Sequence, residues 1–137
     1  MTGEYLYWEN VPTRWKDNDV YGHVNNVVHY SLMDTVINGW MIRTAGFDPA
    51  TSAAIGLCVE SHCEYKAEVS FPDAIRVGLR VGQLGRSSVR WEIGMFRASD
   101  DALIAEGHFV HVFVDRRTRR PVEITGPART AMARLLR

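Results

Sequence analysis

The sequence predicts an α+β fold with a mostly antiparallel five-stranded sheet and one long helix that covers a face of that sheet. Two observations carry this prediction. Apolar residues recur at helical spacing between residues 27 and 44, and apolar and polar residues alternate through most of residues 57–115. Turn-forming residues separate the alternating segments, which favours hairpin connections and therefore antiparallel pairing.

The first two predicted elements are a short strand and the long helix. Residues 4–15 are rich in aromatic residues, and Pro12 predicts an edge strand because it cannot donate a ladder hydrogen bond. The helix is predicted from apolar positions spaced by three and four, namely Val28, Leu32, Met33, Val36, Ile37, Trp40 and Met41. Gly46, just after the last apolar position, is expected to end this helix.

Four strands and a terminal helix complete the predicted order. The strands are expected as a meander over residues 57–67, 75–84, 88–96 and 103–115. Pro127 opens a short helix near the C-terminus. No linker divides the chain, so residues 1–137 are expected to form one domain. One helix leaves apolar surface uncovered, and we expect the chain to form a homodimer through a sheet edge or face.

The composition excludes several classes of protein. With 46% hydrophobic and 23% charged residues, the chain reads as an ordinary globular protein. The acidic, aromatic N-terminal stretch does not resemble a signal peptide, and no apolar run is long enough to cross a membrane. The expectation is a cytoplasmic protein that does not bind a membrane.

Metal and nucleic-acid binding are also disfavoured. Cys58 and Cys63 are five residues apart, which predicts opposite faces of a strand and no disulfide, and no Cys/His pairs have zinc-ligand spacing. Residues 116–137 contain seven arginines against one acid, Glu123, but no interleaved aromatic residues. A small phosphorylated ligand or a solvated chain end is therefore expected in place of nucleic acid.

The stretch "DNDVYGHVNN", residues 17–26, lies directly before the predicted helix. Asp and Asn are favoured helix caps and turn formers, so the stretch can simply be a helix entry. It also contains the chemical groups that acyl transfer requires. Asp19 can act as a base or nucleophile, and the N–H groups around Asn25 and Asn26 can stabilise an oxyanion. The residues by themselves leave both interpretations open.

The longer segment "WKDNDVYGHVNNVVHY" resembles the signature of hotdog-fold acyl-CoA thioesterases of the 4-hydroxybenzoyl-CoA thioesterase-like group. The matching residues are Asp17, Asp19, Gly22, His23, Val24, Asn25, Asn26 and Tyr30. The following helix, the strands and "GRSSVRWEIGMFR" also resemble this family. The resemblance implies a hotdog fold, in which the sheet wraps around one long central helix, and hydrolysis of an acyl-CoA thioester.

The resemblance also implies roles for individual residues. Asp19 matches the catalytic carboxylate, as nucleophile or general base, and His23 matches a position that orients or polarises. Tyr21, Gly22, Asn25 and Asn26 would support the site or the oxyanion. Asp17 fits a structural role equally well, and Asp34 on the helix is a minor candidate for the carboxylate.

Substrate contacts are expected elsewhere in the chain. Arg86, Ser87 and Ser88 form a turn that, by the resemblance, lies near the pantetheine and phosphates of CoA. Arg116 and Arg117 are further candidates for the CoA nucleotide, although a solvated charge run is the simpler interpretation. Ser61 shares a predicted strand face with Cys63 and is a candidate to line the acyl pocket.

No metal or cofactor is implied beyond coenzyme A as part of the substrate. The resemblance implies active sites at the interface of a homodimer or a dimer of dimers. Two other functions remain open: hydrolysis of acyl groups from acyl carrier protein, and non-catalytic binding of acyl-CoA by a hotdog dimer. The acyl group itself is not fixed by the sequence.

Overall fold

The protein, analysed as a computed structural model, is described over residues 4–137, so the first three residues of the predicted 1–137 domain lie outside the described range. One antiparallel sheet has the strand order β1-β3-β4-β5-β2. The elements are β1 (Tyr7–Pro12), α1 (Asn26–Thr44), β2 (Ala54–Tyr65), β3 (Ala74–Leu84), β4 (Ser88–Arg97), β5 (Leu103–Asp115) and α2 (Gly126–Arg134). A five-stranded antiparallel sheet with a helix is therefore confirmed.

Helix α1 packs its apolar stripe against one face of the sheet. It is 19 residues long, and its buried residues are His29, Met33, Val36, Ile37, Trp40 and Met41. They meet inward-facing side chains of β3, β4 and β5 in one continuous core. The rings of Trp40 and Trp91 lie edge to face at 5.5 Å between centroids. Helical periodicity thus located the helix and most of its buried face.

The predicted four-strand meander is wrong at its first connection. Hairpins join β3 to β4 and β4 to β5, but β2 pairs with β5 and β3 pairs with β1. The segment after β2 crosses from one edge of the sheet to the other past the start of α1. On the way, the Lys66 N–H donates to the Ile104 carbonyl and the Val69 carbonyl accepts from the Val24 N–H. This crossing fixes the chain beside the helix N-terminus.

Strand β2 forms an edge of the sheet and contains a bulge that the sequence pattern did not reveal. Cys58 lies opposite His111, and Glu60 lies opposite Val110, so Val59 has no partner on β5. Directly opposed residues share a face, so the bulge places Cys58 and Cys63 on the same face. The predicted opposite orientation is therefore wrong, although both cysteines are free thiols.

The sequence predicts no segment that spans a membrane. No helix within residues 4–137 combines the length and the apolar character needed to cross a bilayer.

Gly107 permits the close approach of β5 to β2, and this generates a stability prediction. A Cβ atom at position 107 would overlap the backbone carbonyl oxygen of His62, which cannot rotate away. We expect Gly107→Ala to lower the free energy of unfolding by about 2 kcal/mol or more, measured by denaturant titration. Gly56→Ala on β2 is the matched control, because its Cβ would meet side chains and no backbone atom, the Phe113 ring at 3.2 Å and the His111 ring at 3.5 Å. Equal losses for the two variants would contradict the backbone explanation.

Candidate active site

The segment before α1 is fixed by a buried carboxylate. Asp17 is buried and accepts hydrogen bonds from the Arg14 backbone N–H at 2.8 Å and from Arg14 Nη2 at 2.8 Å. Burial acts to raise the pKa of Asp17, but the hydrogen bonds from Arg14 outweigh it and hold the pKa below its usual value. Since both oxygens of Asp17 are engaged by Arg14, the side chain holds the loop in place, as the structural interpretation of Asp17 expects.

Asp19 lies in a tight turn two residues later. Its N–H donates to the His23 carbonyl at 2.9 Å, and its carbonyl accepts from the Gly22 N–H at 3.0 Å. Gly22 has a φ of +84°, which favours glycine at this position. The Asp19 Oδ1 atom accepts from the Tyr21 N–H at 2.9 Å. The other carboxylate oxygen has no hydrogen-bond partner among residues 4–137, so it remains available to water or substrate.

Asn25 and Asn26 have different roles at the helix start. Asn25 is the N-cap, and its Oδ1 atom accepts from the Val27 N–H at 2.9 Å. Its own N–H donates to the Asp17 carbonyl at 2.9 Å, so it is not free to bind an oxyanion. The Asn26 N–H has no partner within the described range. Of these two N–H groups, only that of Asn26, at the positive end of the helix dipole, is therefore unoccupied within the described range.

A cleft of about 450 Å³ joins Asp19 to this helix start. His29 and Tyr65 form one wall, with their rings edge to face at 5.0 Å. The Tyr65 hydroxyl donates to the Asn26 carbonyl at 2.8 Å, and burial, followed by the neighbouring Cys63, raises the pKa of Tyr65 to about 12. The remaining lining residues are Tyr21, His23, Val24, Ala67, Glu68 and Val69. Asp19, Tyr21, His23 and Asn26 thus share one cavity.

His23 lies at the mouth of this cleft. Its Nε2 atom is 2.8 Å from a carboxylate oxygen of Glu68, which belongs to the segment that crosses past α1. Glu68 thereby orients the imidazole, and because Glu68 is largely exposed, the contact contributes little to folding stability. His23 is therefore an oriented polar group in the lining of the cleft.

Arg86, Ser87 and Ser88 lie at the opposite end of the sheet. Ser88 opens β4 opposite Val112, whereas Tyr65 pairs with Ala105 beside the cleft. The Phe113 N–H donates to the Ser87 carbonyl at 2.7 Å, and Phe113 lies eight positions after Ala105 on β5, a span of roughly 26 Å at about 3.3 Å per residue. The Arg86 side chain is 76% exposed, with Glu123 at 3.7 Å. One protomer therefore does not bring this turn to its own Asp19.

Arg116 and Arg117 share that distant end. The Arg116 guanidinium donates to the carbonyls of Ser52 at 2.8 Å and Pro49 at 2.7 Å, so much of its donor capacity holds the loop before β2. Arg117 is exposed in the turn after β5. Ser61 lies at the exposed middle of β2, opposite Phe109, and lines neither the cleft nor an apolar pocket at the other end of α1.

The sequence predicts no bound metal ion. Within residues 4–137, no group of three or more His, Cys, Asp or Glu side chains is arranged to hold a metal ion. The role of metals and cofactors stays an expectation from the sequence.

Comparison with known proteins decides the family. Residues 13–131 match the thioesterase-like superfamily. The chain belongs to that superfamily. The predicted thioester hydrolase is thereby confirmed as a reaction class. No curated protein matches the chain.

Solved structures of similar proteins support membership of the thioesterase-like superfamily. The PA5185 protein of Pseudomonas aeruginosa is 47% identical to this chain, with a TM-score of 0.94. The alignment covers 98% of this chain and 94% of the PA5185 chain. The PA2801 protein of the same organism, described as a proposed thioesterase, is 30% identical, with a TM-score of 0.86. The alignment covers 93% of this chain and 98% of the PA2801 chain. The 1,4-dihydroxy-2-naphthoyl-CoA thioesterase Slr0204 of Synechocystis is 15% identical with a TM-score of 0.84, covering 93% and 95%, and shares the fold.

Three polar residues that line the cleft, His29, Tyr65 and Glu68, are not among the site residues predicted from the sequence. His29 lies four residues before Met33, so the helical period could have placed it on the buried face. Tyr65 and Glu68 reach the cleft because β2 ends there and the chain then crosses past α1. No local pattern marks them, since their position depends on a long-range connection.

Two buried histidines predict acid sensitivity of this thioesterase-like protein. Burial lowers the pKa of His29, although hydrogen bonding to the backbone of Asn25 and Asn26 acts to raise it. Burial also lowers the pKa of His111, although the charge of Asp34 acts to raise it. His111 also accepts a hydrogen bond from the Trp91 indole N–H at 3.1 Å, which requires an unprotonated Nδ1. Because the folded-state pKa values are depressed, the unfolded chain takes up protons first as the pH falls.

The free energy of unfolding should therefore decrease as the pH falls below about 6.5, towards the depressed folded-state pKa values. His29→Gln should reduce this slope by up to about 1.4 kcal/mol per pH unit, because that proton no longer binds the unfolded chain. Urea titrations between neutral pH and pH 5 measure the slope. His62→Gln on the exposed strand is the control, and an equal reduction there would contradict the assignment to buried histidine.

Proposed function

We propose that the protein hydrolyses an acyl-CoA thioester to the free acid and CoA, with Asp19 as the catalytic carboxylate. Within the superfamily we place it in the 4-hydroxybenzoyl-CoA thioesterase-like group, with the hotdog arrangement of the sheet around α1. We also propose a cytoplasmic homo-oligomer that needs no metal or added cofactor. The likeness to Slr0204, an enzyme named for an aroyl-CoA substrate, supports CoA as the carrier.

One observation carries this proposal. Asp19 and the free Asn26 N–H line the same cleft, with one oxygen of Asp19 held by the Tyr21 N–H. A carboxylate with a fixed oxygen and a free oxygen is oriented for attack, and a helix N-terminus stabilises the negative charge that develops on a carbonyl oxygen. The two groups that thioester hydrolysis requires are thus supplied by adjacent parts of the chain.

The chemistry follows from these positions. The free Asp19 oxygen either attacks the thioester carbon directly or removes a proton from a water molecule that attacks it. In both routes the carbonyl oxygen becomes negatively charged, and the Asn26 N–H donates to it. The C–S bond then breaks, and CoA leaves as the thiol. In the water route the leaving sulfur takes the proton that Asp19 removed. In the direct route the sulfur takes a proton from solvent, and water then hydrolyses the acyl–Asp19 anhydride, which releases the acid and restores the carboxylate. His23, oriented by Glu68, holds a polar group of the substrate at the cleft entrance.

The CoA moiety requires a second subunit in this proposal. Arg86 and Arg117 are exposed, carry positive charge and lie at the sheet end distant from Asp19. Antiparallel pairing of two β2 edges about a two-fold axis brings that end of one protomer to the Asp19 end of the other. Arginine binds phosphate through charge-assisted hydrogen bonds, so the partner's turn would hold the CoA phosphates.

One alternative substrate has a specific observation in its favour. Arg117, Arg119 and Arg120 form an exposed basic turn after β5, a surface that also suits an acidic acyl carrier protein. A comparison of rates on the same acyl group attached to CoA and to carrier protein separates these two substrates. Non-catalytic binding is less favoured, because it has no use for a free Asp19 oxygen.

Replacement of Asp19 tests the catalytic assignment. Asp19→Asn keeps the size of the side chain but removes the base and nucleophile, so kcat should fall by about a hundredfold to ten-thousandfold. Release of free thiol from an acyl-CoA panel provides the measurement. Asp34→Asn is the matched control, since Asp34 is the carboxylate of the rival site on α1. Full activity in the Asp19 variant, with loss in the Asp34 variant, would move the carboxylate to the helix.

Replacement of Arg86 tests the CoA contact. Arg86→Ala should raise KM for acyl-CoA roughly tenfold, because one charge-assisted hydrogen bond to phosphate is lost. It should leave an N-acetylcysteamine thioester of the same acyl group unaffected, since that substrate has no phosphate. Arg134→Ala removes an exposed arginine from α2 as a control. A KM increase on both substrates would contradict phosphate binding by Arg86.

A further inference from the structure

A second cavity lies at the opposite end of α1 from Asp19. It has a volume of about 270 Å³ and lies between the C-terminal end of α1, the loop before β2, β5 and α2. Its apolar wall consists of Met41, Ala45, Phe47, Phe113, Ile124 and Met132. We call this cavity the tail pocket. It is more enclosed than the cleft at Asp19, and its polar lining side chains are Ser52, Glu123 and Thr125.

The lining of the tail pocket favours an uncharged occupant. The negative end of the α1 dipole borders the pocket, but so does the positive end of the α2 dipole at Thr125. The Glu123 carboxylate, which also lines the pocket, is faced by the exposed Arg86 guanidinium at 3.7 Å, and the Arg116 guanidinium is engaged by the carbonyls of Ser52 and Pro49. These charges offset one another, and most of the remaining lining is apolar. An aliphatic chain end fits this environment.

The tail pocket is remote from the Asp19 of the same protomer. Helix α1 spans 19 residues, or about 28 Å at 1.5 Å per residue, and the two cavities lie at its two ends. The buried core under the sheet fills the space between them. A thioester held at Asp19 therefore does not direct its acyl group into the tail pocket of its own chain.

The edge of β2 brings the tail pocket next to the cleft of another subunit. Within the described chain β2 pairs with β5 alone, and its outer edge exposes Leu57 and Val59, the latter at 61%. In an antiparallel pairing of two β2 strands, the Ala54 end of one strand meets the Tyr65 end of the other. Ala54 lines the tail pocket, and Tyr65 lines the cleft that contains Asp19.

We propose that the tail pocket of one subunit binds the aliphatic end of the acyl chain whose thioester is held by Asp19 of the partner subunit. This inference rests on the proposed function and names its substrate class as aliphatic acyl-CoA with a chain long enough to cross the subunit boundary. Short acyl groups occupy the cleft alone and do not use the tail pocket.

Filling the pocket tests this assignment. Ala128 of α2 lines the tail pocket, whereas Ala133 lies exposed on the same helix and does not line it. Ala128→Phe should lower kcat/KM for decanoyl-CoA by roughly fiftyfold, the value of about three methylene groups, and leave acetyl-CoA hydrolysis unchanged. Ala133→Phe should change neither rate. An Ala128→Phe enzyme with the same chain-length profile as the wild type would overturn the proposal.

A second variant covers a failure of Ala128→Phe to fold. Ala53 is exposed in the loop before β2 and lines the tail pocket, so Ala53→Leu narrows the pocket from its rim. The two variants should shift the preference in the same direction, towards shorter acyl chains. Thermal unfolding of each variant shows whether a changed rate reflects a changed fold. A folded Ala53→Leu enzyme with wild-type decanoyl-CoA kinetics would contradict the assignment.

Subunit mixing tests whether the site is shared between chains. Asp19→Asn and Ala128→Phe subunits should each be poorly active on decanoyl-CoA as pure homo-oligomers. After random subunit exchange, half of the dimers are hybrids, and one of the two sites in each hybrid combines an intact Asp19 with an intact tail pocket. Activity should recover to about a quarter of the wild-type value. Isolated hybrids without recovery would overturn the shared site.

The outcomes also separate this inference from the proposed function. If the wild-type protein releases thiol from no acyl-CoA, the proposed function fails. If it releases thiol but the pocket variants keep the wild-type chain-length profile, only the tail pocket assignment fails.

Discussion

The hydrogen bond from the Asn25 N–H to the Asp17 carbonyl is the constraint on which the site depends. It joins the buried Asp17, which is paired with the exposed Arg14, to the N-cap residue of α1. Asp19 lies between these two fixed points, and its turn is closed by the His23 carbonyl and Gly22. The position of the carboxylate relative to the helix N-terminus is therefore set by backbone contacts, which hold it more firmly than a mobile surface loop would.

The polarity of α1 divides the molecule into two chemical environments. Its N-terminus presents the Asn26 N–H group to the cleft, where negative charge would develop in the proposed thioester hydrolysis. Its C-terminus borders the apolar tail pocket. In our proposal the reactive carbonyl lies at the N-terminus of α1 in one subunit, and the neutral end of the acyl chain lies at the C-terminus of α1 in the partner.

Strand β2 connects these environments between subunits in our proposal. Its bulge and its unpaired outer edge leave apolar side chains exposed, which is unfavourable in an isolated chain. Pairing with a second copy would cover that edge and bring the arginines, the tail pocket and the partner's Asp19 together. The pairing of two β2 strands would then both stabilise the assembly and complete the active site.

The sequence by itself determined the α+β class, the span of α1 and the segment that contains Asp19, because these depend on local periodicity and on capping preferences. It did not determine that β2 pairs with β5, that Val59 forms a bulge, or that Tyr65 and Glu68 line the cleft. Those features depend on contacts between residues far apart in the chain, and alternation along one strand carries no information about its neighbour. Likewise, only the tertiary structure showed that the Asn25 N–H is engaged by the Asp17 carbonyl, whereas the Asn26 N–H has no partner within the described range.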